Sequence, residues 1–88
     1  MIKGRTSSGF EFEISRDIIN DYELVENLGE LEDNPLMLGK IVNQILGKEQ
    51  TIKLKDHIRN ENGIVPTDKM TKEIIEIFQN GGEKTKNS

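Results

Sequence analysis

The stretch IRNENGIVPTDK, residues 58–69, sets asparagines at alternate positions ahead of a glycine, as the opening of a calcium loop does. Such a loop needs oxygen ligands at its first, third and fifth positions, glycine at the sixth and a bidentate glutamate at the twelfth. With Gly63 at the sixth position, Asn60 and Asn62 fall at the third and fifth, but Ile58 takes the first and Lys69 the twelfth. An aliphatic chain and a cation stand where the two decisive carboxylates belong, so no calcium site is expected. The stretch reads instead as a joint between helices. Asn62-Gly63 suits a positive φ at a helix end, Ile64 and Val65 are expected to return to the core, and Pro66 resists helix until Thr67 caps the next one.

The other chemically capable residues lack context. His57 is the sole histidine and cysteine is absent, so a zinc site would miss its further nitrogen or sulfur ligands. An exposed or capping role is expected for His57. Sixteen acidic side chains are present, yet a general acid/base pair needs a cleft that drives two pKa values apart. Ser7 and Ser8 stand in a turn with no activating partner beside them. The glycines of GEL and LGK lack the spacing and the Lys-Ser/Thr ending of a phosphate loop. No catalytic residue, metal or cofactor is expected, and the chain is read as a non-enzyme.

Eighty-eight residues make a single domain near the lower end of independent folding. Self-association or a bound partner is therefore expected to add stability. Without cysteine, disulfides and thiolate metal sites are excluded. No apolar run is long enough to span a bilayer and no signal-peptide pattern opens the chain, which points to the cytoplasm. The net charge of −4 is unevenly spread: residues 1–40 hold nine acidic and four basic side chains, whereas residues 41–88 hold seven and eight. The acid gathers in 17–33, a surface that repels a phosphate backbone, so nucleic acid is not an expected partner.

The elements that must carry any site are mostly helical. GFEFEIS alternates Phe10, Phe12 and Ile14 with Glu11 and Glu13, a half-buried strand. It can pair with MIKGRT across Ser7-Ser8-Gly9 into a hairpin over about residues 2–14. Ser15 or Asp17 caps a first helix that runs to about Asp33, with Ile18, Tyr22, Val25 and Leu28, and also Leu24 and Leu31, at helical spacing. Asn34 and Pro35 open a second, carrying Leu38, Ile41, Val42, Ile45 and Leu46 until Gly47 ends it. A third, polar helix covers about 48–60 with the stripe Ile52, Leu54 and Ile58. A fourth carries Met70, Ile74, Ile77 and Phe78 until Asn80-Gly81-Gly82 stops it. The expected fold is mainly α, a bundle of about four helices with an N-terminal β-hairpin over residues 1–80, followed by a disordered tail over 81–88.

In their order and spacing, SGFEFEI, DYELVENLGELE, ILGKEQ, LKDHIRNENGIVP and KEIIEIF resemble the tail assembly chaperones of long-tailed phages and prophages of Gram-positive bacteria. The similarity spans roughly residues 8–80. It implies a non-enzymatic protein of the host cytoplasm, absent from the mature virion, that binds the tape measure protein, keeps it soluble and assists tail tube assembly. In such families a frameshifted longer form carries an added C-terminal domain, through which tail tube protein is recruited. The implied partners are the tape measure protein, tail tube protein by way of that longer form, and further copies of the chain, with no membrane.

Gripping a client helix needs an apolar surface, for which Met37, Ile41, Ile45, Met70, Ile74 and Phe78 are the candidates. Methionine suits an adaptable surface because it is flexible and polarisable. Asp21, Glu23, Glu26 and Glu30 form a candidate acidic surface that aids solubility or meets basic client segments. Two other interaction readings compete: an acidic, DNA-mimic-like inhibitor of a host factor, and a structural tail-completion component that stays in the particle. Lys48, Lys53, Lys55 and Arg59 weigh against the first.

Overall fold

The computed structural model describes the backbone of residues 1–86 and the side chains of residues 1–82. Strands β1 (Ile2–Arg5) and β2 (Glu11–Ile14) form an antiparallel hairpin. Helices α1 (Arg16–Ile19), α2 (Tyr22–Glu30), α3 (Leu38–Ile58) and α4 (Thr67–Lys86) follow, with a turn of 3-10 helix over Pro35–Met37 ahead of α3. The chain thus adopts the expected class, mainly helical with an N-terminal hairpin.

Period-two alternation sets the hairpin's two faces. Ile2 pairs with Ile14 and Gly4 with Phe12, which turns Ile2, Phe12 and Ile14 into the core. On the outer face Lys3 opposes Glu13 and Arg5 opposes Glu11, an arrangement of opposite charges that favours this register. β1 lies on α4 and β2 on α3. The outer edge of β2 is not left to solvent. The Gln50 side chain accepts from Glu13 N–H at 2.7 Å and donates to Glu13 C=O at 2.7 Å, covering an edge that would otherwise invite another strand.

The first helix is not continuous. The Ser15 hydroxyl caps α1 by accepting from Asp17 N–H, and the Asp21 side chain caps α2 by accepting from Glu23 N–H. Helical periodicity explains the break. In one straight helix Ile19 would project roughly opposite to Leu24, Leu28 and Leu31. Interrupting it at Asn20-Asp21 turns both sets inward, with Ile19 and Leu24 buried and Leu28 and Leu31 half-buried against the core. Tyr22 and Val25, expected on the apolar face, point to solvent instead.

The same device recurs at Gly47. This residue, expected to end a helix, sits at φ 75° and ψ 171° inside α3 and bends it, a conformation that only glycine adopts without strain. Before the bend, Leu38, Ile41, Val42, Ile45 and Leu46 are buried; after it, Thr51, Leu54 and Ile58 are. A straight helix would place these groups on nearly opposite sides. Ile52 was expected in the second stripe and is half exposed; Thr51 takes its place, its hydroxyl donating to Gly47 C=O at 2.7 Å. Asn34 accepts from Leu36 N–H as an N-cap, and Pro35 opens the 3-10 turn.

α4 buries Met70, Ile74 and Ile77. It does not stop at Asn80-Gly81-Gly82 but continues to Lys86. Gly81 is a contact position: a Cβ there would lie 3.0 Å from Ile19 Cγ1 and 3.1 Å from Ile14 Cδ1. The rest of the expected tail, Asn87 and Ser88, lies outside the described residues. Ile64 also departs from expectation, being exposed in the 59–66 connection, while Val65 packs against the core.

Candidate functional site

Two places in the fold bring side chains together, one polar and one apolar. The polar cluster lies where the hairpin turn meets α3 and α4. Thr6 Oγ1 donates to Glu73 Oε1 at 2.9 Å and Ser8 Oγ donates to the same oxygen at 2.7 Å. His57 Nε2 lies 3.2 Å from both Ser8 Oγ and Ser8 C=O. Ser7 adds bonds from its N–H and hydroxyl to Glu76, at 2.6 and 3.1 Å.

Serine, histidine and a carboxylic acid are the parts of a hydrolase triad, but the wiring differs. In a triad the histidine sits between the other two and takes the serine proton. Here serine sits between them and gives its one proton to Glu73, leaving His57 Nε2–H to donate to the Ser8 oxygens. The Ser8 hydroxyl is thereby held to the Glu73 carboxylate and the histidine stands on the far side of it. The cluster works as a clamp holding the hairpin turn on α3 and α4. Nothing local in the sequence signals it, since Glu73 lies 67 residues from Thr6 and 65 from Ser8.

The 58–69 stretch is also closed upon itself. Asn60 Oδ1 accepts from Asn62 N–H at 2.9 Å and Ile64 N–H at 3.1 Å, while the Arg59 guanidinium donates to Gly63 C=O at 2.9 Å. The Asn60 oxygen is thus taken up by the loop's own N–H groups, and a cation crosses the loop. Among the described residues no three His, Asp or Glu side chains are placed to hold a metal ion, and no helix is long and apolar enough to cross a membrane.

The apolar place is a groove of about 620 Å³ between α2 and α4. Leu28, Leu31 and Glu32 form one wall, Pro35 and Leu38 join at its base, and Thr67, Thr71, Ile75, Phe78 and Gln79 form the other. The α4 wall follows from spacing: residues 67, 71, 75 and 78 recur every three or four positions and so share a side of the helix. That side is distinct from the buried stripe of Met70, Ile74 and Ile77. The apolar surface of α4 therefore extends past its buried stripe, through half-buried Phe78 to the exposed Ile75. Ile75 is 40% exposed and Leu36, beside Pro35, is 90% exposed. Val25, on the same side of α2 one turn before Leu28, is exposed as well.

No protein-family model, curated protein or solved structure matches this chain.

Of the six candidate client-binding residues, Ile41, Ile45, Met70 and Ile74 are core and offer nothing to a partner. Their stripes face the hairpin and the other helices, which consume them. Met37 and Phe78 are half-buried at the core margin, and Phe78 lines the groove. Leu28, Leu31 and Ile75 join it there, though none was a candidate from sequence. The signal was the apolar margin of α4, Ile75 beside Phe78, overshadowed by the stronger stripe. Among the acidic candidates, Glu23, Glu26 and Glu30 are exposed on α2, whereas Asp21 is partly buried and occupied as a helix cap.

Proposed function

We propose that this chain is a non-enzymatic tail assembly chaperone that receives an amphipathic helical segment of the tape measure protein in the α2–α4 groove. In this reading it keeps that long client soluble in the host cytoplasm and assists assembly of the tail tube around it, leaving before the particle is complete. The observation that carries the proposal is the groove itself: an apolar trough between two helices, lined by Leu28, Leu31, Ile75 and Phe78. A trough of this kind suits the helix-in-groove mode of recognition. The likeness of residues 8–80 to phage tail assembly chaperones supports the choice of client. Further copies bound along the client, and a frameshifted longer form recruiting tail tube protein, complete the proposed role.

Co-expression tests it. A fragment of the proposed tape measure client is expected to stay in the soluble fraction with the wild-type chain and to precipitate without it. It is expected to precipitate also with Ile75→Asp, which puts a charge in the groove at a position already partly exposed. Equal precipitation with and without the wild-type chain overturns the proposal.

A further inference from the structure

We infer that the groove takes a helix whose apolar ridge is flanked on one side by lysine or arginine, and that it does not take a second copy of this chain. The inference rests on the binding role proposed above and adds the chemistry of the occupant.

The two walls differ in charge. Segment 21–33, which supplies the α2 wall, holds six acidic and no basic side chains, and Glu32 of that segment lines the groove itself. The residues that α4 presents to the groove are all uncharged. An occupant helix therefore meets the Glu32 carboxylate along one flank and only uncharged lining residues along the other. Screening limits which charges matter: the Debye length is about 8 Å at physiological ionic strength. Glu32 is within that reach of any occupant, and the remaining acids of the segment add a weaker field of the same sign.

The α4 wall also sets the length. From Thr67 to Gln79 the helix rises about 18 Å at about 1.5 Å per residue. An occupant lying alongside matches this with about three turns, its contacts recurring at helical spacing. The same charges argue against self-docking. A two-fold dimer through this face sets the 21–33 segments of the two copies against each other when its axis crosses the groove, and sets each against the other's α4 wall when its axis runs along it; no groove-lining residue of either copy is a cation that could pair with Glu32.

Fluorescence anisotropy tests the inference, using the full chain and three synthetic helical peptides of about 14 residues. The peptides share one leucine ridge and carry lysine, glutamine or glutamate along one flank. The lysine peptide is expected to bind about five- to tenfold tighter than the glutamate peptide at low ionic strength, with the gap shrinking at high salt. Glu32→Lys is expected to reverse that order. Glu49→Lys, an equal change of charge outside the groove, is expected to preserve it. Equal affinity for all three peptides, lost for all in Ile75→Asp, overturns the charge assignment while the groove stands as a binding site. Absence of binding by any peptide, or binding that Ile75→Asp does not weaken, overturns both. A dimer seen in sedimentation and dissociated by Ile75→Asp would place a second copy in the groove and overturn the inference too.

Discussion

Gly81 and Gly82 are adjacent helical residues that differ in what a methyl group would meet. At Gly81 a Cβ would lie 3.0 and 3.1 Å from two atoms of Ile19 and 3.1 Å from Ile14 Cδ1; at Gly82 nothing lies within 4 Å. Replacing glycine by alanine inside a helix gains up to about 1 kcal/mol of intrinsic propensity, and this gain applies at both positions. At Gly81 it is opposed by overpacking. Carbon contacts prefer about 3.5–4.0 Å, so Ile14 and Ile19 must retreat. Ile14 is only 1% exposed and Ile19 only 8%, which leaves little room. An extra methyl group in such a core costs about 1–3 kcal/mol. Gly82→Ala is therefore expected to stabilise the fold by up to about 1 kcal/mol, and Gly81→Ala to range from neutral to about 2 kcal/mol destabilising. For a domain of this size 1 kcal/mol moves Tm by about 4–8 °C, so the two variants should melt well apart when followed by far-ultraviolet circular dichroism. If α4 ended at Asn80, both glycines would sit in irregular chain and neither alanine would produce this split. Equal Tm values above wild type for the two variants would refute the packing of Gly81 beneath the hairpin, and equal values with no gain over wild type would refute the continuation of α4.

Two further substitutions test how the hairpin is held. Gln50→Ala removes the bonds to Glu13 N–H and C=O, together with one to Leu46 C=O at 2.9 Å; a loss of about 1–2 kcal/mol is expected in urea titration, and an unchanged midpoint would mean that water serves the edge equally well. Glu73→Leu removes the acceptor shared by the buried Thr6 hydroxyl and the exposed Ser8 hydroxyl, for an expected cost of about 1–3 kcal/mol, whereas Glu73→Gln keeps an acceptor and costs less. A Glu73→Leu protein as stable as wild type would show that the clamp holds nothing.

Much of this fold was legible because short-range rules dominate it. The strand alternation in FEFEI, the Asn34-Pro35 start and the positive φ expected at Asn62-Gly63 each depend on neighbours a few residues away. What escaped depends on distant partners. Gly81 reads as a helix stop unless Ile14 and Ile19 are known to lie over it. Ile64 and Ile52 read as core because aliphatic residues usually are, although neither has a neighbour to cover it. The groove was half visible. Phe78 was a candidate, but ranking the other candidates by apolar character selected Ile41, Ile45, Met70 and Ile74, the residues the core also claims. Ile75 lies at the margin of its stripe, where the core leaves it exposed.

The bend at Asn20-Asp21 links the core to the groove. α1 and α2 carry apolar sides that one straight helix could not use together, and α1 is fixed by Ile19 lying over Gly81 of α4. Given that anchor, a helix continuing straight through residue 21 would turn Leu28 and Leu31 away from Phe78 and leave the groove with one wall. Asp21 is what restarts the helix in a new direction, its side chain accepting from Glu23 N–H at 2.9 Å. Its contribution to the groove therefore comes through the direction it gives α2. The acidity of the wall belongs to Glu32 and the exposed glutamates, and its position belongs to the cap. Asp21 shapes the groove without lining it.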